Sequence, residues 1–206
     1  MKNSSALWCY FVAGWSGFYV MVVELLSARI LAPYVGSAVH VWGSVIFVFM
    51  LGLAIGYLLG GIYSQHNPSL KKLFVILAVA ALSTIPTFTF GEAGVDWLTY
   101  GQSLVTDQRA VALAGCFMLF FVPAIFSGMV SPYAIRLLVS DKASSGHKAG
   151  YLYFISTVGS SAGTLMTSFF FVVWAEVNYI LVSSMCVSLA LAALGLVAAP
   201  KKEATE

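Results

Sequence analysis

Residues 38–63 read AVHVWGSVIFVFMLGLAIGYLLGGIY, without a single Asp, Glu, Lys or Arg. About 20 apolar residues in helical form cross the hydrocarbon core of a bilayer, so this stretch is long enough to span it. The rest of the chain follows suit. Of its 206 residues 60% are hydrophobic and 9% charged, with a mean hydropathy of +0.93, whereas a soluble domain carries roughly 25% charged residues. A water-facing surface cannot be assembled from this inventory. The expected fold class is therefore an all-α membrane protein of six transmembrane helices forming a single domain.

Working outward from that segment, the sequence predicts spans over residues 6–32, 38–63, 73–90, 110–128, 150–175 and 179–199. The first is expected to stop at Pro33, because the residue before a proline avoids the helical region. At some 27 residues, and with Glu24 inside it, this span is too long for the apolar core of a cleaved signal peptide and is read as a retained helix. Residues 91–108 turn polar through Glu92, Asp96 and Asp107 but keep Trp97 and Leu98, which suits a loop or short helix at the headgroup level. Pro123 and Pro132 are expected to kink or break the fourth span. The loop 140–148 is hydrophilic, and Pro200 with the polar tail 201–206 follows the last span.

Orientation follows from Lys and Arg in the short loops. With the N-terminus inside, Lys2, Lys71, Lys72, Arg136, Lys142, Lys148, Lys201 and Lys202 lie on the cytoplasmic side, leaving only Arg29 and Arg109 outside. The expected location is a bacterial-type inner (plasma) membrane, with both termini cytoplasmic. The net charge of +2 is small and its cations are scattered, which excludes a nucleic-acid surface. Cys9, Cys116 and Cys186 sit in apolar runs without metal or redox spacing and are read as buried small hydrophobes. No metalloprotease, hydrolase or nucleotide-binding motif occurs; no cofactor or metal is expected, and the chain is read as non-enzymatic.

Gly52, Gly56 and Gly60 recur every four residues, and the fifth span carries Ser156, Gly159, Ser160, Gly163, Thr164 and Thr167. Small faces of this kind let membrane helices approach closely. The plain reading is helix contact; the functional one is a gap lined by the hydroxyls of Ser156 and Ser160. A small-residue helix stands second in each half. Each follows a segment rich in Ser, Pro, Tyr and Arg, residues 27–34 and 131–136, so a 3+3 inverted repeat is an expectation.

Glu24 is the candidate centre of any site. A carboxylate at helix depth costs a few kcal/mol and normally faces the bundle interior, pairs or protonates. Arg29 is one partner to consider, although five residues place it about 140° around an ideal helix. The two would then form a structural pair near the outer interface. His40, followed by Trp42, could join a ligand-binding site with Glu24, and the plain reading of His40 is an interfacial side chain.

The stretch from Glu24 through Ser27, Arg29, Pro33 and Tyr34 to Gly36, continuing through Val41-Trp42-Gly43 to Gly52, Gly56, Gly60 and Gly61, resembles the membrane domain of transmembrane spermidine synthase-like proteins. Those are fusions of a major-facilitator-like region with an aminopropyltransferase. The run Gly128 to Arg136, followed by residues 149–153 and 156–160, is similar to the second hallmark of that domain. The resemblance implies a membrane module. The Rossmann-like catalytic domain of the fused proteins, with its glycine-rich loop, has no counterpart in these 206 residues, so synthase activity is not expected of them.

Two functions fit these features. One is a small-molecule transporter or carrier, for a cationic or amphipathic metabolite, with Glu24 as its charged centre and a homodimer as the working unit. The other is a non-catalytic membrane subunit that docks a separate enzyme or membrane partner through its basic loops.

Overall fold

The computed structural model describes residues 3–100, 107–139 and 144–198. Among these residues there is no strand. The helices are α1 (Asn3–Val35), α2 (Val39–Tyr63), α3 (Leu70–Leu82), α4 (Ile85–Thr89), α5 (Gly91–Tyr100), α6 (Gln108–Leu138), α7 (Ser145–Met166), α8 (Val172–Trp174) and α9 (Val177–Ala198), with a π-helical turn (Thr167–Phe171) joining α7 to α8. Six helical segments are long and apolar enough to cross a membrane: 5–35, 39–63, 70–89, 108–138, 145–174 and 177–198. The chain is an all-α integral membrane protein with six such spans, in the order read from the sequence.

Three boundaries differ from expectation for local reasons. Helix α1 runs through Pro33 to Val35, and its stop is Gly36, at φ +74°, whose N–H donates to Ala32 O at 2.9 Å. This is a glycine cap in the left-handed conformation. Helix α6 carries both Pro123 and Pro132 inside it and continues to Leu138, so the expected break after residue 128 is absent; neighbouring helices make proline tolerable within a membrane helix. The third span is the one that breaks, between α3 and α4 at Ser83-Thr84. Elsewhere polar caps set the ends: Ser69 Oγ accepts from the Lys72 N–H and an Asp107 carboxylate oxygen accepts from the Arg109 N–H, each satisfying a donor the first turn leaves free. The polar stretch after residue 90, read as a loop or short helix, contains the helix α5; residues 101–106 lie outside the described residues, as do Lys2, residues 140–143 and the tail from 199.

Helix α1 is central, touching α2, α3, α6, α7 and α9. The long helices pair in a crossed pattern: α2 lies along α6, α7 lies along α1, and α3 lies against α9. Both main pairs run parallel, because the facing residues rise together. Gly52 faces Ala124, Gly56 faces Gly128 and Gly60 faces Met129; likewise Gly159 faces Gly14 and Gly163 faces Phe18. The glycine and small-residue faces are therefore helix contacts, the plain reading of both.

Buried side chains form two clusters along α1. One gathers Tyr19, Leu26 and Leu31 with Phe49 and Phe120; the other gathers Cys9, Val12 and Ala13 with Phe74, Tyr133 and Leu152. Cys9 and Cys116 are buried as expected, but Cys186 is exposed on the bundle's outer face, where lipid replaces packing. Thr84 donates its hydroxyl proton to Ala81 O at 2.6 Å, so the buried Tyr19 hydroxyl is the donor in its 3.0 Å bond to Thr84. This ties α1 to the break in span three. Tyr19→Phe is expected to lower stability in detergent by about 0.6 kcal/mol, the usual size of an interhelical hydrogen bond in membranes; a thermal melt checks it.

Candidate functional site

Glu24 lies eleven residues before the C-terminal end of α1 and is half-buried. Its backbone carbonyl accepts from Ser27 Oγ at 2.6 Å. Its carboxylate makes no hydrogen bond or ion pair with any described residue. Arg29 is exposed, and its guanidinium instead donates to Val172 O of α8 at 3.5 Å. The 140° between the two positions is therefore realised as two different neighbourhoods, and the structural pair weighed for Glu24 and Arg29 is not formed.

The other candidates divide by helix. Ser156 and Ser160 sit where α7 meets Gly17 of α1: a Cβ at Gly17 would meet the Ser156 carbonyl, with Ser160 Oγ at 2.8 Å and Ser156 Oγ at 3.1 Å. They fill the helix contact seven residues, two turns, below Glu24 on the same face of α1. His40 stands at the start of α2 with its Nε2 buried and without a partner, while its carbonyl accepts from Ser44 Oγ at 2.8 Å. Trp42 is exposed. Among the described residues no hydrogen bond or ion pair joins any of these six side chains to another.

One group was seen in the sequence only as part of a small face. Thr167 is buried, its hydroxyl lacks a partner, and it opens the π-helical turn, which touches α1. The parallel register of α7 on α1, with Gly159 at Gly14 and Gly163 at Phe18, carries Thr167 to about the height of Glu24. In an α-helix a threonine hydroxyl can bond the carbonyl four residues back, as Thr164 does to Ser160 O at 3.0 Å. Thr167 makes no such bond, although its own N–H donates to Gly163 O as in an α-helix. π turns inside α-helices are frequent at functional sites, and no hydropathy period announces one.

The site thus consists of an unpaired carboxylate and an unpaired hydroxyl at one level of the α1–α7 contact, inside the membrane span. The Thr167 hydroxyl and the Glu24 carboxylate form no hydrogen bond with each other. Among the described residues there is no group of three His, Cys, Asp or Glu able to hold a metal. What the arrangement can do is receive a hydrogen-bond donor or a cation. The chain matches no family model, no curated protein and no solved structure.

Proposed function

We propose that this protein is a small-molecule membrane carrier for a cationic or amphipathic metabolite, with Glu24 as its charged centre. The observation that carries the reading is the unpaired carboxylate on the central helix, level with the partnerless Thr167 hydroxyl. A structural carboxylate in a membrane span would be paired; a transport site has to be left open to its ligand.

Two further features support it. The crossed pairing of α2 with α6 and α7 with α1 is unchanged when the first three spans are exchanged with the last three, which suits a 3+3 inverted repeat. Such repeats place the substrate near the bilayer midplane. In addition, α7 and its extension are poorly covered: 11% of the most apolar stretch of that span is buried, against 50% for α1 and α6. Its outward face carries the exposed Thr157, Ser161 and Ser168, a single stripe at helical spacing. Hydroxyls facing outward in a membrane suit a partner helix or a water-filled route, and a homodimer supplies both. The resemblance of residues 24–61 and 128–160 to the membrane domain of spermidine synthase-like proteins agrees with a membrane module. The Lys and Arg distribution favours both termini in the cytoplasm and the Arg29 end outside.

Purified protein in proteoliposomes is expected to raise uptake of ethidium, an amphipathic cation, above that of empty vesicles. Glu24→Gln should lower the increment at least about tenfold, since a contact to a charged group is worth roughly 1.5–3 kcal/mol. Equal uptake in the variant removes Glu24 from the mechanism.

A further inference from the structure

Two cavities flank the turn between α8 and α9. The larger, about 530 Å³, is a groove between α1, the π turn with α8, and α9. Its walls include Trp15, Phe18, Phe170, Phe171, Trp174 and Tyr179. The smaller, about 170 Å³, lies between the end of α1, α4 and the start of α9 and is lined by Arg29, Tyr34, Thr87 and Asn178 among others. Ala175 lines the first, Val177 lines the second, and Glu176 sits between them, exposed. Arg29 donates to Val172 O at 3.5 Å, the residue next in sequence to Phe171 of the groove wall.

The chemistry of the two cavities differs. The groove is apolar and aromatic, fit for an acyl chain. Trp174 and Tyr179 at its mouth are 85% and 70% exposed, the arrangement of side chains that favour the headgroup level. The smaller cavity presents a guanidinium and an amide, while the Thr87 hydroxyl on its wall donates to Leu119 O at 3.2 Å. Arg29 and Glu176 flank the same turn with opposite charges and form no ion pair among the described residues. A bound head that carries both an anion and a cation would answer each of them.

We propose that this double cavity is a specific site for a zwitterionic phospholipid with a phosphate and a primary amine in its head, of the phosphatidylethanolamine type. The phosphate rests on Arg29, the amine on Glu176, and one acyl chain lies in the aromatic groove. The guanidinium suits this role because its planar fork matches phosphate oxygens. The site is separate from Glu24 and does not rest on the carrier reading.

The experiment is native mass spectrometry of the full chain, extracted from vesicles of equal phosphatidylethanolamine and phosphatidylglycerol content and delipidated in detergent. About one phosphatidylethanolamine per chain should persist. Arg29→Gln, which removes the guanidinium charge and is too short to reach Val172 O, should cut its retention about tenfold or more, and Arg29→Lys less. Glu176→Gln should erase the preference over phosphatidylglycerol. Ser183→Trp, at an exposed groove position, should expel the lipid by filling the groove. A thermal melt for each variant separates loss of lipid from loss of fold. Equal retention of both lipids by the wild type, or wild-type retention in both Arg29→Gln and Ser183→Trp, overturns the proposal.

Discussion

Gly56→Leu is expected to abolish the folded bundle, with a loss of more than about 3 kcal/mol, beyond the roughly 1–3 kcal/mol typical of overpacking. A Cβ at Gly56 would run into the Ile125 carbonyl and stand 2.9 Å from Gly128 Cα. Both obstacles are backbone, so neither can turn aside as a side chain could. Gly159→Leu meets the same difficulty in the other pair, where a Cβ would strike the Gly14 carbonyl. Even alanine brings the clashing atom, so Gly56→Ala and Gly159→Ala should each already destabilise, by about 1–3 kcal/mol. Gly61 and Gly150 provide controls in the same two helices, since nothing lies within 4 Å of a Cβ there; Gly61→Leu and Gly150→Leu should stay within about 0.5 kcal/mol of the wild type. Reversible unfolding in mixed detergent measures all six. If Gly56→Leu and Gly61→Leu lost equal stability, the close α2–α6 approach would not be what holds this pair together.

The same glycines show why so much of the fold was legible. A four-residue spacing of small residues places them on one face, and in lipid, where apolar burial drives nothing between helices, such a face exists to be packed. What the spacing could not convey was the partner. Gly56 meets Gly128, but the glycines of α2 could equally have faced α1, their neighbour in sequence. The prolines misled for a related reason: their cost is local, and whether adjoining helices compensate depends on who those helices are. Pro132, whose ring lies beside Gly60, is accommodated inside α6.

At the candidate site Glu24 stood out because a charge among apolar residues needs no tertiary knowledge to be noticed. Its surroundings did require that knowledge. The π turn at Thr167 leaves no trace in hydropathy. The groove joins Trp15 to Trp174 and Tyr179 across most of the chain's length, and Arg29 turned out to serve α8 rather than Glu24.

Replacing Glu24 by leucine is expected to raise stability while ending transport. An acidic side chain at the middle of a membrane helix costs about 2.5–3.5 kcal/mol on insertion scales, and leucine is mildly favourable there. Glu24 is half-buried and stands in the second half of its span, so the gain should be smaller, roughly 1–3 kcal/mol. Glu24→Gln removes the charge and keeps the shape, and should be no less stable than the wild type. The opposite sign has an equally definite meaning. Breaking a buried ion pair by deleting one partner costs about 3–5 kcal/mol, because the other charge is left behind. Unfolding measurements on Glu24→Gln and Glu24→Leu, made on the preparations used for ethidium uptake, therefore separate the two roles of this carboxylate. Stability held or gained with uptake lost assigns it to a ligand; stability lost by several kcal/mol assigns it to the scaffold, and the carrier reading loses its centre.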